Sequence, residues 1–126
     1  MTINEFKVLV CDDSILSRKK LKDCILSMGC AEVFEAADGE EAIAQYEAHR
    51  PNLVFMDIVM PKKDGIEAVT EILKIDSNAK IVMASSVGTQ SFLKDAIKAG
   101  AFDFLQKPFD PEQVKKIVNN VCKGGC

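Results

Sequence analysis

Three aspartates lie directly at the ends of short apolar runs in this sequence. Asp57 follows the run Leu53–Met56, and Asp12 and Asp13 follow the run Val8–Cys11. Short apolar runs that end in polar turn residues are typical of buried strands. If the two strands lie side by side, the three carboxylates meet in one crevice, where their repulsion needs a proton or a cation to offset it. The spacing therefore predicts an acidic binding site.

Two further polar residues end apolar runs later in the chain. Ser85 ends the fourth run, and Lys107 ends the fifth. Ligands of open α/β sheets bind outside the carboxyl ends of the strands, so both side chains are expected near the aspartates. Taken alone, Ser85 could equally cap the helix that follows it, and Lys107 could be a solvated loop lysine. Asp13 or Ser14 is expected to cap the first helix as well.

Strand-like apolar runs alternate with helical patterns along the whole chain. The predicted strands are Phe6–Cys11, Glu32–Ala36, Asn52–Met56, Lys80–Ala84 and Phe102–Gln106. The predicted helices are Ser14–Met28, Glu40–Ala48, Gly65–Ile75, Thr89–Ala99 and Pro111–Cys122. This alternation predicts an α/β fold, a five-stranded parallel sheet that is doubly wound as (βα)5, with helices on both faces and right-handed crossovers.

The composition limits the class of protein. A chain of 126 residues with 48% hydrophobic and 28% charged content fits one globular domain, residues 1–126, with no separate output domain. A formal net charge of −3 argues against direct binding of nucleic acid. The sequence has no apolar run of membrane-spanning length and no secretion signal, so we expect a cytoplasmic protein that binds no membrane.

The five cysteines are expected to be reduced thiols. Cys122 and Cys126 flank a short Lys-Gly-Gly segment, and a metal clip there would need two further ligands. His49, the one histidine, lies at the far end of a predicted helix. A zinc site is therefore not expected.

The chain resembles the receiver domains of two-component response regulators over essentially its whole length. The residues that carry the resemblance are Asp12-Asp13, Asp57 with Met60-Pro61, Asp64-Gly65, Ser85 and Lys107-Pro108-Phe109. The segments Ser85–Ser91 and Ala99–Phe104 are similar to those of single-domain chemotaxis regulators of the Gram-positive and Thermotoga type. The resemblance implies a flavodoxin-like fold with strand order 2-1-3-4-5.

The resemblance also implies a chemistry. Asp57 would be the phosphoacceptor, taking a phosphoryl group from a phosphohistidine on a histidine kinase. Ser85 would donate a hydrogen bond to that group, and Lys107 would place a positive charge against its oxygens.

A divalent cation would be held by oxygen atoms alone. Its ligands would be the carboxylates of Asp12, Asp13 and Asp57 and the backbone carbonyl of Val59. Such ligands favour Mg²⁺, with Mn²⁺ as a possible substitute.

The resemblance places a conformational switch on the fifth strand. Phe104 occupies the position of the family's aromatic switch residue, and a cis peptide bond is implied before Pro108. On the fourth predicted helix two apolar stripes are adjacent, Phe92 with Ala96 and Leu93 with Ile97. Either one stripe belongs to the core and the other to a docking surface, or both are buried. Phosphorylation is expected to reshape the face formed by the fourth helix, fifth strand and fifth helix.

The resemblance also implies that two positions flank the approach of water to the phosphoryl group, and both are apolar in this chain. These are Val59 and Val87, and neither side chain can orient a water molecule. We therefore expect slow self-dephosphorylation and a partner phosphatase. The alternative is that both valines point away and merely pack.

The resulting expectation is a monomeric, stand-alone signalling switch that binds the flagellar motor switch when phosphorylated. It would catalyse its own phosphorylation and slow dephosphorylation, and would not be a turnover enzyme. The alternatives are a phosphorelay intermediate and an excised receiver of a longer regulator. A phosphatase with an Asp nucleophile is disfavoured because Val59 replaces its second acid. A flavodoxin-like cofactor binder is disfavoured because Asp12 and Asp13 would repel a phosphate.

Overall fold

A computed structural model of the chain describes residues 3–30, 32–85, 92–107 and 109–124. In this part of the chain the strands are β1 (Lys7–Cys11), β2 (Glu32–Ala36), β3 (Leu53–Asp57), β4 (Ile81–Ser85) and β5 (Asp103–Gln106). The α-helices are α1 (Ile15–Leu26), α2 (Gly39–His49), α3 (Gly65–Ile75), α4 (Leu93–Ala99) and α5 (Pro111–Gly124). All strand pairs are parallel, in the order β2-β1-β3-β4-β5. The predicted doubly wound α/β fold and its strand order are confirmed.

Alternate residues of the central strands enter two separate cores. Leu9 and Cys11 of β1 pack in a core with α2, α3 and α4. Val8 and Val10 pack on the other face with α1 and α5. Every residue of β3 and β4 is buried, as expected for parallel strands covered by helices on both faces.

Two strands lie one residue later than the sequence predicted. The ladder between β3 and β4 continues to the pair Asp57 and Ala84, and the ladder between β4 and β5 continues to Ser85 and Gln106. Asn52 lies before β3, where its Oδ1 accepts a hydrogen bond from the Lys7 amide at 2.9 Å. Asp57 and Ser85 are therefore terminal strand residues, held by sheet pairing. At their beginnings, β1 and β5 are each one residue shorter than predicted.

The first helix is shorter than predicted at both ends. Ser14 is its N-cap, and its Oγ accepts a hydrogen bond from the Ser17 amide at 3.3 Å, which confirms the expected cap. The helix ends at Leu26, because the Met28 and Gly29 amides bond three residues back and Gly29 adopts a φ of 93°.

The other helices differ little from prediction. Helix α3 has the predicted bounds, α2 is one residue longer at each end, and α5 continues to Gly124. Helix α4 begins at Leu93; the predicted start over residues 89–91 lies outside the described residues. Within the described ranges, no helix combines the length and apolar character that crossing a membrane requires.

Candidate functional site

The three predicted aspartates meet at the carboxyl edge of the sheet. Asp12 and Asp13 follow β1, and Asp57 ends the neighbouring strand β3. One carboxylate oxygen from each lies within 4.8 Å of the others. Asp12 and Asp57 are buried, at 2% and 8% exposure, whereas Asp13 is exposed. The predicted convergence of the three carboxylates is confirmed.

Lys107 joins two of these carboxylates. Its Nζ donates to Oδ2 of Asp12 at 2.7 Å and to Oδ2 of Asp57 at 3.0 Å. The lysine backbone is anchored by its amide, which donates to the carbonyl oxygen of Ser85 at 2.7 Å. The alternative of a solvated loop lysine is therefore wrong.

Burial and charge oppose each other at Asp57. Burial raises the pKa of Asp57 to about 6, although the hydrogen bond and positive charge of Lys107 act in the opposite direction. The nearby Asp12 carboxylate adds to the increase. For Lys107, burial lowers the pKa, but the bonds to Asp12 and Asp57 outweigh it, and the pKa is raised. Both groups are therefore charged near neutral pH, with Asp57 close to its protonation threshold.

Ser85 ends β4, the strand next to the one that Asp57 ends, and its hydroxyl is weakly held. It is 1% exposed at the end of β4, and its Oγ donates to the carbonyl oxygen of Leu105 at 3.5 Å. That distance is long for a hydroxyl hydrogen bond, so little is lost if the hydroxyl turns to another acceptor. The alternative that Ser85 caps α4 is wrong, because α4 begins at Leu93 and Phe92 is its N-cap residue.

Phe104 points outward from the central part of β5, with 49% of its surface exposed. Three further apolar residues nearby in sequence are also partly exposed: Phe92 at 43%, Ile97 at 56% and Phe102 at 46%. Ala96 is buried, so the stripe of Phe92 and Ala96 is divided between core and surface. The alternative that both predicted stripes are buried is wrong. The side chain of Leu93 lies outside what the structure describes.

Val59 lies in the loop between β3 and α3, and its side chain is 52% exposed. It does not pack in the core, so the alternative that the valine side chains merely pack is wrong for Val59. The roles of its carbonyl and its side chain stay predictions. Val87, the cis bond before Pro108 and Cys126 lie outside the described residues.

Close backbone packing fixes the loop that follows Asp57. The Gly65 amide donates to the carbonyl oxygen of Ile58 at 2.7 Å. A Cβ atom at Gly65 would overlap the carbonyl oxygen of Asp57, and one at Gly39 would overlap the backbone of Lys63. The two glycines therefore allow the loop to approach β3 and α2 closely.

The sequence did not indicate one contact at the site. Arg18 on α1 donates from Nη1 to the carbonyl oxygen of Asp12 at 2.7 Å and from Nε to Oε1 of Glu35 at 3.0 Å. The available signals were an arginine shortly after the acidic pair and a glutamate within a strand. Neither signal shows that the two side chains meet.

The donor atoms fit a hard divalent cation. The acidic cluster offers only carboxylate oxygens, and Asp13 leaves one side of it open to solvent. Mg²⁺ and Mn²⁺ prefer such ligands and retain several water molecules.

Known proteins share both the sequence and the fold. A family model for the response regulator receiver domain matches residues 8–119. The chain is 46% identical over 117 residues to the chemotaxis protein CheY of Thermotoga maritima, covering 93% of this chain and 98% of that protein. It is 44% identical over 113 residues to CheY of Bacillus subtilis, covering 90% and 94%. A solved CheX-CheY-BeF3-Mg²⁺ complex from Borrelia burgdorferi contains a similar chain, with a TM-score of 0.85, 39% identity and coverage of 93% and 89%.

Proposed function

Because the chain belongs to the response regulator receiver-domain family, we propose that Asp57 accepts a phosphoryl group from a histidine kinase and thereby switches a protein-binding face. Receiver domains of the CheY type are phosphorylation-dependent response regulators. The observation that carries the proposal is the contact of one lysine, Lys107, with the carboxylates of both Asp12 and Asp57. A phosphoryl group on Asp57 would therefore lie close to a fixed positive charge, which supports the proposal.

The way in which the carboxylates are held supports Asp57 as the nucleophile. Both oxygens of Asp12 accept hydrogen bonds, Oδ1 from the Ser14 amide at 2.9 Å and Oδ2 from Lys107. The Asp12 carboxylate is thus fixed in place, which suits a metal ligand better than a nucleophile, and Asp13 is exposed. Asp57 ends a central strand and is 8% exposed, so it combines a fixed position with access to a donor. In the transfer, the bond between phosphorus and the kinase histidine breaks as a bond to an Asp57 oxygen forms.

Asp12, Asp13 and Asp57 would hold Mg²⁺ or Mn²⁺ together with the carbonyl of Val59. When bound, the ion would offset the negative charges of the carboxylates and the phosphoryl oxygens. The presence of Mg²⁺ with CheY in the solved complex supports this proposal.

Lys107 and Ser85 would recognise the phosphorylated state. The Lys107 ammonium can exchange its contact with an Asp57 oxygen for a contact with a phosphoryl oxygen. The Ser85 hydroxyl can leave its long contact with Leu105 and donate to the same group. Its movement would open space for Phe104 to turn inward. This would shift the equilibrium between the two conformations of the output face.

The output is proposed to be a protein contact. Phe92, Ile97, Phe102 and Phe104 are each between 43% and 56% exposed and supply apolar surface on α4 and β5 or beside them. We propose the flagellar motor switch as the target, in the cytoplasm, and a phosphatase as a further partner. The CheX-CheY complex supports a protein partner. No catalytic turnover of an external substrate is proposed.

Binding to the motor-switch protein tests the target. The protein treated with beryllofluoride and Mg²⁺ should bind about tenfold or more tightly than the untreated protein. Ile97→Ala should weaken that binding, whereas Lys74→Ala, an exposed change on α3 outside the proposed output face, serves as the control. Equal binding with and without beryllofluoride would contradict the motor-switch target. Preferential transfer of phosphate to a second histidine protein would instead indicate a phosphorelay intermediate.

A further inference from the structure

We propose that Arg18 is a positioning residue for the acidic cluster, because its guanidinium fixes the peptide group between Asp12 and Asp13. In this way it would set how the Asp13 carboxylate meets a divalent cation. The inference rests on the metal site proposed above.

Arg18 connects three elements of the fold. Its Nη1 donates to the carbonyl oxygen of Asp12 at 2.7 Å, and its Nε donates to Oε1 of Glu35 at 3.0 Å. The side chain is 15% exposed, so it is mostly removed from solvent. The planar guanidinium therefore holds α1, the end of β1 and the edge strand β2 in one arrangement.

The carbonyl is the remaining polar group of Asp12. Its amide donates to Ala36 at 3.0 Å, and its two carboxylate oxygens accept from Ser14 and Lys107. The Arg18 contact thus completes the set of bonds that holds this buried aspartate.

Asp13 depends on that contact for its direction. The Asp12 carbonyl belongs to the planar peptide group that leads into Asp13, so fixing the carbonyl fixes the plane from which Asp13 departs. Asp13 is exposed, and within the described part of the chain its carboxylate has no hydrogen-bond or ion-pair partner. Its place in the cluster is consequently set by the backbone.

Glu35 offsets the positive charge that Arg18 brings close to the proposed metal site. The Glu35 carboxylate offsets the charge of Arg18 and is itself held on Oε2 by Lys22 at 3.0 Å. If Arg18 acted through charge alone, its removal would strengthen Mg²⁺ binding. If it acts by position, its removal weakens Mg²⁺ binding. The two roles predict opposite signs.

Calorimetric titration with Mg²⁺ distinguishes them. Arg18→Met should raise the Kd about tenfold to a hundredfold, the usual effect of removing a group that orients metal ligands. The Kd of Arg18→Lys should lie between those of wild type and Arg18→Met, because one ammonium cannot reproduce the guanidinium fork. Lys19→Met removes the same charge from the next, exposed residue and should change the Kd by less than about twofold. Glu35→Gln should also raise the Kd, since it keeps Arg18 and loosens its anchor.

Two further readouts separate positioning from general destabilisation. In the metal-free protein, Arg18→Met should shift the Asp13 amide resonance, and Lys19→Met should not. Mg²⁺ affinity should fall in Glu35→Gln even where urea unfolding shows the folded state intact. An unchanged or lowered Kd in Arg18→Met would overturn the inference. Absence of Mg²⁺ binding by the wild-type protein would instead overturn the metal site, and this inference with it.

Discussion

At the scale of single residues, the site is a balance between burial and one lysine. Asp57 is buried among other acids, and only Lys107 among the described side chains donates to its carboxylate at hydrogen-bond distance. The cost of this arrangement appears in the Asp57 pKa of about 6, raised mainly by burial. The site therefore stores electrostatic free energy that a phosphoryl group or a cation can change.

Asp57→Asn is expected to stabilise the metal-free protein in a pH-dependent way. The folded-state pKa of Asp57 is raised from 3.8 to about 6, so its contribution to stability is fully present below pH 3.8 and is lost as the pH rises through 6. Relative to wild type, the variant should gain on the order of 2 kcal/mol at neutral pH and lose that gain towards about pH 4. Urea unfolding in a chelator measures it, with Asp23→Asn, an exposed change, as the control. A difference that is constant with pH would contradict the expectation.

Lys107→Gln is expected to strengthen Mg²⁺ binding while slowing phosphorylation. The lysine ammonium contacts the same Asp12 and Asp57 oxygens that would bind the ion. Removing it should lower the Kd for Mg²⁺ by about tenfold at about pH 8, a change of about 1.4 kcal/mol. Calorimetry gives the Kd, and Lys116→Gln on the exposed face of α5 is the control. A raised Kd would show that Lys107 supports the metal ligands instead of competing with the ion.

Val59→Asn is expected to shorten the lifetime of the phosphorylated protein. The Val59 side chain is half-exposed next to the site and has no polar group to orient water. An amide at this position should speed phosphate loss by about tenfold to a hundredfold. The decay of phosphorylated protein after removal of the donor measures it, and Val59→Ile keeps the apolar character. If the amide variant decays no faster than wild type, valine does not slow hydrolysis.

The aspartates, Ser85 and Lys107 could be located from the sequence for a physical reason. Each lies at the end of an apolar run, and parallel strands bring their carboxyl ends to one edge. Arg18 and Glu35 could not be paired in this way. Their contact depends on the rotation of α1 about its axis and on its packing against β2, which hydrophobic spacing leaves undetermined.

At the scale of elements, the fold depends on how closely loops approach strands. The bounds of α3 were predictable because Asp64 and Gly65 mark its start and its apolar periodicity is strong. The ends of β3 and β4 were placed one residue too early. Where a strand ends depends on its pairing with the neighbouring strand. Asp57 and Ser85 are polar residues that strand propensity alone would leave outside a strand.

Gly65→Ala tests the close approach of α3 to β3. Alanine favours helix formation, but its Cβ would overlap the Asp57 carbonyl oxygen and crowd the Met83 methyl group. We expect a loss of about 1–3 kcal/mol in the free energy of unfolding and slower phosphorylation, because the loop after Asp57 must move. Chemical denaturation and donor labelling measure the two effects. Lys74→Ala, on the exposed side of the same helix, is the control, and stability equal to wild type would contradict the packing argument.

At the scale of the whole molecule, the acidic cluster and the proposed output surface occupy neighbouring parts of one sheet. The acidic cluster lies beyond β1 and β3, while Phe104 lies on the edge strand β5. Ser85 lies between them, at the end of β4. Its carbonyl oxygen accepts a hydrogen bond from the Lys107 amide. The alternation of strands and helices predicted the parallel sheet. The resemblance, and not the residue pattern, supplied the strand order, because alternation does not show where the order reverses.

The most direct test of the central claim is mass-spectrometric labelling with a small phosphodonor and Mg²⁺. The wild-type protein should gain one phosphoryl group, mapped to the peptide that contains Asp57, and should gain none when a chelator removes Mg²⁺ before the donor is added. Asp57→Asn should gain none, whereas Asp23→Asn should be labelled like wild type. Labelling of Asp57→Asn at an undiminished rate, or a phosphoryl group mapped to another residue in the wild-type protein, would contradict the assignment of Asp57 as the phosphoacceptor.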